Sequence, residues 1–342
     1  MGYTTDHGQS TNRTSVKEQK IVIRRQQIKQ WLEALYPQQE LALEQLPGDA
    51  SNRRYFRLQA DGRTQLLVDV PPEEGSCQQF IHVSKQLAVQ QIRVPRIFAQ
   101  DVQQGLMLVE DFGDQLLLSC LTETTADNYY RQAMQVLRQL QRIEISLPSY
   151  DQPLLQRELN LYREWYLRQQ VGLILTSVQE QQLAGLFAIL IKRILEQPTV
   201  VVHRDYHSRN LMVIDSAELG VIDFQDAVQG PITYDLVSLL KDCYIAWPFS
   251  KVEAWAKEFW EQGHTSLTWE QFKDAFHWMG IQRHLKAIGI FARLNLHYGK
   301  PGYLKDIPRT MNYVQQAIRL FPELAPLAEF LIPMESSPCP RL

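Results

Sequence analysis

The sequence predicts an α+β protein in two parts, a small antiparallel sheet followed by a larger and mostly helical region. Three observations predict this. Between residues 41 and 110, short segments rich in Val, Leu, Phe and Tyr are punctuated by Pro47-Gly48-Asp49, Asp61-Gly62, Pro71-Pro72 and Gly105, the texture of strands joined by tight turns. Beyond Gly113, apolar residues recur at helical spacing almost throughout. The exception is the stretch from Pro198 to Phe224, where two short β-like runs, Leu211 to Ile214 and Leu219 to Ile222, adjoin a loop crowded with His, Arg, Asp and Asn.

Taken in order, Ile28, Trp31, Leu32 and Leu35 sit on one helical stripe and predict a helix over 21 to 36, ended by Pro37. Residues 1 to 20 are polar and lack the apolar core of a secretory signal, so they are expected to be a disordered or tag-like extension on an unexported, cytoplasmic protein. Within the sheet region one helix is expected at 78 to 91, and 96 to 100 should pair with 106 to 109. The boundary is expected in Glu110-Asp111-Phe112-Gly113-Asp114, where a strand stops and a Gly permits a bend. It separates a first lobe, 21 to 112, from a second, 113 to 342. Helices are expected at 127 to 144, 153 to 170, 177 to 196, 232 to 246, 250 to 262, 268 to 294 and 310 to 320.

Bulk properties exclude several classes. The 342 residues are 45% hydrophobic with a formal net charge of -3, and the sequence contains no block of like charges, which argues against nucleic acid as the main partner. Apolar runs such as Leu116 to Leu118 fall far short of the roughly 20 residues that span a bilayer, so no membrane partner is expected. Cys77, Cys120, Cys243 and Cys339 are scattered without C-x-x-C spacing, which speaks against a zinc site or a disulfide framework.

The chemistry is concentrated in His203-Arg204-Asp205-Tyr206-His207-Ser208-Arg209-Asn210, followed by Asp223-Phe224-Gln225. This is the H-R-D-x-x-x-x-N plus D-F-G arrangement of kinases, with Gln in the last place. Phosphoryl transfer needs an acceptor hydroxyl in line, its proton accepted, and the triphosphate charge neutralised by metal. Asp205 suits the proton-accepting task. Asn210 and Asp223 offer oxygen donors suited to Mg²⁺ beside ATP, and His203 reads as a structural brace. A rival reading takes His203, Asp205 and His207 as alternating ligands of a hydrolytic metal. It leaves Asn210 and Asp223 without a role.

Only a few residues separate Asp223 from Pro231 and the helix near Tyr234-Asp235-Leu236, too few for the activation segment of a protein kinase. With His207 two residues after Asp205, the chain resembles the aminoglycoside phosphotransferase and choline kinase superfamily, which implies a bilobal protein-kinase-like fold with an antiparallel N-lobe and a largely helical C-lobe. Further segments sharpen the likeness: Gly48-Asp49-Ala50-Ser51-Asn52-Arg53-Arg54-Tyr55-Phe56-Arg57-Leu58, Asp69-Val70-Pro71-Pro72, Leu108-Val109-Glu110-Asp111-Phe112-Gly113 and Gln282-Arg283-His284-Leu285-Lys286-Ala287-Ile288-Gly289. In these the chain resembles the AmgK-like anomeric sugar kinases of cell-wall recycling, from about residue 28 to beyond 320. That resemblance implies ATP- and Mg²⁺-dependent phosphorylation of N-acetylmuramate and N-acetylglucosamine at C1, and a link to a sugar-1-phosphate uridylyltransferase. Aminoglycosides, choline or other sugars remain alternative acceptors, and a catalytically dead nucleotide-binding scaffold is a further alternative.

The wider kinase pattern is not complete. The third strand, Leu66-Leu67-Val68-Asp69-Val70, lacks the usual phosphate-binding Lys. Strand alternation puts Arg53, Tyr55 and Arg57 on one face and Arg54, Phe56 and Leu58 on the other, with the apolar pair toward the core and Arg53 favoured as the phosphate partner. Ser51, Glu110 and Phe112 are assigned with it to the nucleotide. For the acceptor the candidates are Asp226, Arg209, His207, Trp165 and His284, with Arg209 matched to a lactyl carboxylate. Each has an ordinary structural use as well, as helix cap, ion-pair partner or core residue.

Overall fold

The computed structural model describes residues 8–47, 53–70, 77–215 and 218–334. The chain folds into two compact units, one made of the residues up to Gln78 together with Arg96–Asp111, the other of Gln79–Pro95 and everything from Phe112 onward. No described helix is long and apolar enough to cross a membrane.

In the first unit, helix α1 (Gly8–Leu35) precedes strands β1 (Glu44–Gln45), β2 (Arg54–Ala60) and β3 (Arg63–Asp69). Helix α2 (Gln78–Val89) then intervenes before β4 (Ile97–Asp101) and β5 (Leu106–Glu110). The sheet order is β1-β2-β3-β5-β4 and every pairing is antiparallel. Asp61-Gly62 closes the β2–β3 hairpin with φ of 51° and 72°, the two positive values that a two-residue turn of matching twist requires. As alternation predicts, Phe56 and Leu58 lie on the core face, where with Leu67, Leu106 and Leu108 they pack on Ile28, Trp31 and Leu32 of α1.

Arg54 shares that face, and there the packing includes charge. Fully buried Asp69 accepts two hydrogen bonds from Arg24 of α1, at 3.0 and 2.7 Å, and pairs with Arg54 on its other oxygen. A buried carboxylate requires such partners, so helix and sheet are joined by an ion cluster as well as by an apolar stripe. Arg57, on the opposite face, donates to both oxygens of Asp111 at 2.6 and 3.2 Å. The described span of α1 is longer than the 21 to 36 read from periodicity. Of the extension expected over 1 to 20, residues 1 to 7 lie outside the described residues, as does Cys339.

The second unit contains α2, then α3 (Leu117–Cys120), α4 (Ala126–Gln141), α5 (Gln152–Leu161), a π-helical segment Tyr162–Gln170 and α6 (Ser177–Leu195). Two small antiparallel sheets come next, β6 (Thr199–Val202) with β9 (Val228–Pro231) and β7 (Leu211–Val213) with β8 (Leu219–Val221). Helices α7 (Tyr234–Leu240), α8 (Phe249–Gln262), α9 (Trp269–Tyr298) and α10 (Ile307–Ile318) complete it, with 3-10 turns at Pro301–Asp306 and Pro322–Phe330. The 30-residue α9 is the axis of the unit. Thr268 and Gln271 form a capping box at its start and Gly299, at φ 64°, ends it.

The structure departs from the periodic pattern in three places. The helix expected over 153 to 170 changes from α to π winding after Leu161. The one expected over 232 to 246 stops at Leu240, because the Asp242 carboxylate takes the N–H groups of Tyr244 and Ser208, both at 2.9 Å, and so competes with helical hydrogen bonding. The sheet of β6 and β9 is the third, since the only β-like runs expected beyond Gly113 are those that form β7 and β8.

Close packing of α9 on the α5–π junction depends on one missing side chain. A Cβ at Gly289 would stand 2.4 to 2.6 Å from backbone atoms of Leu161 and Tyr162, whereas one at exposed Gly185, within α6, would meet nothing. Gly289→Ala should therefore destabilise by roughly 1–3 kcal/mol through overpacking, outweighing its gain in helix propensity. Gly185→Ala should instead stabilise by up to about 1 kcal/mol. Denaturant unfolding midpoints of the two variants provide the check.

Candidate active site

The loop His203–Asn210 runs from β6 to β7 and is held from several sides. His203 Nδ1 accepts the Asp205 N–H at 3.3 Å, which leaves Nε2 to donate to the Ile222 carbonyl at 2.9 Å. Both ring nitrogens are thus engaged within the protein, the geometry of a brace. Among the described residues no group of three or more His, Cys, Asp or Glu side chains could hold a metal ion, which removes support from the three-ligand hydrolase reading.

Fully buried Asp235, in the first turn of α7, accepts the N–H groups of His203 at 2.6 Å and Arg204 at 3.0 Å, one on each oxygen. Burial pushes its carboxyl up to about 6, against the pull of His203 and those two donors. Asp242 accepts both the N–H and the hydroxyl of Ser208, at 2.9 and 2.5 Å. Arg204, at φ 76°, is in a backbone region that a non-glycine residue occupies only when its surroundings impose it. Its guanidinium donates to Glu158 of α5 at 2.5 Å.

Glu158 gathers the loop and two helices. It takes Arg204, Gln282 at 3.1 Å, the Tyr150 hydroxyl, and Lys286 at 3.1 Å. Lys286 also donates to the Tyr234 hydroxyl at 2.9 Å. Burial opposes ionisation of both Glu158 and Lys286, but each offsets it for the other, so the carboxylate is held below and the ammonium above its usual range. Half-buried Asp205 lies in the field of this cluster. Burial pushes its carboxyl up, yet Lys286, His207 and Arg283 outweigh that and hold it at about 2. Asp205 is therefore an ionised acceptor throughout the neutral range.

Asn210 and Asp223 are brought together by the β7–β8 hairpin. Leu211 pairs with Val221, and one step beyond that pair the Ile222 N–H donates to the Asn210 carbonyl at 3.1 Å. The Asn210 side-chain N–H donates back to the Asp205 carbonyl at 3.0 Å, which ties the amide to the loop and leaves its oxygen as the ligand-type atom. Exposed Asp223 has φ 62°, a second residue in the region associated with functional strain. Gln225, in the place where Gly is usual, donates to Asp223 at 2.9 Å and to Asp226 at 3.3 Å, so Asp226 belongs to the same group.

Of the acceptor candidates, Arg209 lies over the rings of Tyr244 and Tyr303 at 4.7 and 5.7 Å, and His207 meets the edge of Tyr244 at 5.3 Å. Burial lowers the His207 pKa, against the pull of Asp242 and Asp205. His284 and Trp165 are placed differently. His284 is fully buried, bonded to the Lys241 carbonyl at 2.8 Å and stacked on Tyr313; Trp165 meets His297 edge-on.

The nucleotide candidates lie in several elements. Phe112 lies against Gly220, where a Cβ would meet its ring at 2.4 Å, and under the Arg93 guanidinium at 4.6 Å. Glu110, at the end of β5, accepts the Arg96 N–H on its side chain at 3.3 Å. Arg53 directly precedes β2, and Ser51 lies outside the described residues.

Asp235, Asp242, Glu158, Arg283 and Lys286 were not singled out as site residues from the sequence. An Asp in the first turn of a helix reads as a cap, and the segment containing Arg283 and Lys286 carried weight only as part of a resemblance.

Comparison with known proteins places the chain in a family. Residues 42–274 match the family model APH, phosphotransferase enzyme family. A Pseudomonas putida protein named N-acetylmuramate/N-acetylglucosamine kinase is 41% identical over 84% of this chain and 87% of its own length. Proteins of the same name from Pseudomonas aeruginosa and Neisseria meningitidis are 40% and 36% identical, over 90% and 89% of this chain and 95% and 94% of theirs. Among solved structures, the choline kinase LicA from Streptococcus pneumoniae superposes with a TM-score of 0.62 at 15% identity, over 85% of this chain and 99% of that one. A Plasmodium vivax ethanolamine kinase gives 0.60 at 13%, over 85% and 83%. These two likenesses are of fold, and they establish it as kinase-like, with an antiparallel N-terminal sheet and a largely helical C-terminal part. With the model match spanning most of the chain and relatives this similar along nearly all of it, the protein belongs to the APH phosphotransferase enzyme family.

Proposed function

We propose that this phosphotransferase moves the γ-phosphoryl group of ATP to the anomeric hydroxyl of N-acetylmuramate and N-acetylglucosamine. The observation that carries the proposal is the ionised Asp205 beside Asn210, on a loop whose backbone is pinned by Asp235, Asp242 and His203. The names of the relatives support the choice of sugar.

Asp205 accepts the proton of the attacking hydroxyl as its oxygen bonds to phosphorus, and the anomeric position eases this because the ring oxygen makes that hydroxyl more acidic than an ordinary alcohol. Its low pKa means that Asp205 orients the hydroxyl and takes the proton late, when the transferring oxygen has lost most of its basicity. The Asn210 amide oxygen and the Asp223 carboxylate fit a hard divalent ion, both being oxygen donors carried by one hairpin. Mg²⁺ held there would neutralise charge on the triphosphate. Arg53, Glu110 and Phe112 are assigned to the nucleotide on sequence position, with Ser51. Asp226 and His207 are assigned to sugar hydroxyls, and Arg209, steadied by Tyr244 and Tyr303, to the lactyl carboxylate that only the muramate carries. The same reading puts the sugar 1-phosphate ahead of a uridylyltransferase in cytoplasmic peptidoglycan salvage.

An ATP-consumption screen across amino sugars, with the phosphorylated carbon located by NMR, tests the proposal; turnover of neither sugar, or phosphate at another carbon, would contradict it. Asp205→Asn should lower kcat by roughly 10²- to 10⁴-fold while nucleotide affinity is retained, which single-turnover kinetics and a binding titration can separate. Arg209→Ala should raise KM for N-acetylmuramate by about 10- to 100-fold, the worth of a charge-assisted hydrogen bond. Its KM for N-acetylglucosamine should change little, and equal losses on both sugars would remove Arg209 from the acceptor site.

A further inference from the structure

A cavity of about 190 Å³ opens in the helical unit between the segment after α7, the start of α8 and one face of α10. Lys241 lines it together with Trp247, Phe249, Arg309, Asn312 and Gln316, and none of its lining residues belongs to the His203–Asn210 loop or the β7–β8 hairpin. Lys241 is only 3% exposed. Its ammonium donates to His277 Nδ1 at 3.0 Å and lies 4.5 Å from the centre of the Phe276 ring. His277 is neutral beside it, because burial, with Lys241 adjacent, holds its pKa at about 2, and an imidazole has no negative charge to offer.

Among the described residues, no carboxylate lies within ion-pair reach of Lys241. A ring face and a neutral imidazole are poor compensation for a desolvated ammonium, and burial pushes Lys241 down to about 7 against a pull from Glu253. Further polar groups line the opening. Arg309 is locked in place by the Cys243 carbonyl at 2.7 Å and Asp306 at 2.9 Å, and Asn312 and Gln316 come next on the same face of α10 at helical spacing. The aromatic wall is also fixed, with Phe249 stacked on His277 at 5.6 Å.

We propose that this cavity is a second binding site, for a small organic anion whose carboxylate or phosphate group is held by Lys241 and Arg309. The body of the ligand rests on Trp247 and Phe249, and its hydroxyls meet Asn312 and Gln316. The cavity is smaller than the roughly 300–1,000 Å³ that drug-sized ligands occupy, which limits the occupant to a simple acid or a small phosphate and excludes a nucleotide.

Calorimetric titration of the full chain with inorganic phosphate and, separately, with lactate tests this, each with and without excess ADP. The expected result is one saturable site for at least one anion, unaffected by ADP and weakened roughly tenfold or more in Lys241→Met. The tighter of the two anions identifies the headgroup. Asn312→Leu, at an exposed position, should weaken binding severalfold, and it decides the matter alone if Lys241→Met does not fold. Three results overturn the proposal: no saturable binding by either anion, binding that ADP abolishes, or binding that the folded variants retain at full strength.

Discussion

A carboxylate removed from water must be paired on nearly every lone pair, and Glu158 meets that demand by drawing Arg204, Lys286, Gln282 and Tyr150 to one point. Those partners come from the His203–Asn210 loop, from α9, and from the stretch before α5. The requirement is unforgiving, since removing any one cation leaves charge stranded in the interior. It therefore fixes the loop against the long helix more firmly than apolar packing alone, which tolerates small slips. Arg204, at positive φ, is held by this over-determination.

The same cluster sets the chemistry. Lys286 is neutralised in large part by Glu158, yet its field still reaches Asp205, and with Arg283 it keeps that carboxylate ionised in a setting that would otherwise favour the acid. The charges that hold the loop and the charge on Asp205 therefore form one system. The loop backbone is held separately by Asp235 and Asp242, two acidic groups that accept its N–H donors.

Much of the architecture could be read in advance where local pattern and tertiary need coincide. Alternation in β2 placed Phe56 and Leu58 on the core side, Asp61-Gly62 formed the turn its residues favour, and Asp205, Asn210 and Asp223 stand out because a loop-and-hairpin spacing joins them. Local pattern misleads where one side chain overrides it. Asp242 stops α7 early by taking two backbone donors, which no apolar period records. Gly230-Pro231 pairs as a strand because Val200 and Thr199 provide an edge far away in sequence. Glu158, Arg283 and Lys286 were not recognised because each, alone on a helix, looks like surface charge; only the fold turns them inward.

The change of winding after Leu161 has an effect at the far end of the chain. Tyr162 and Tyr166 stack at 5.2 Å, and their hydroxyls donate to the carbonyls of Phe330 and Ile332 at 2.6 and 2.7 Å. A π turn holds about one residue more than an α turn, and that surplus sets the azimuth of every later residue in the helix. Losing a single residue there would rotate the remaining turns by roughly 100°, carrying Tyr166 away from its carbonyl while Tyr162 stayed behind. The segment Phe330 to Ile332 is thus keyed to a phase offset laid down 166 to 168 positions earlier, so that insertion or deletion, rather than substitution, is the change this helix is least able to absorb.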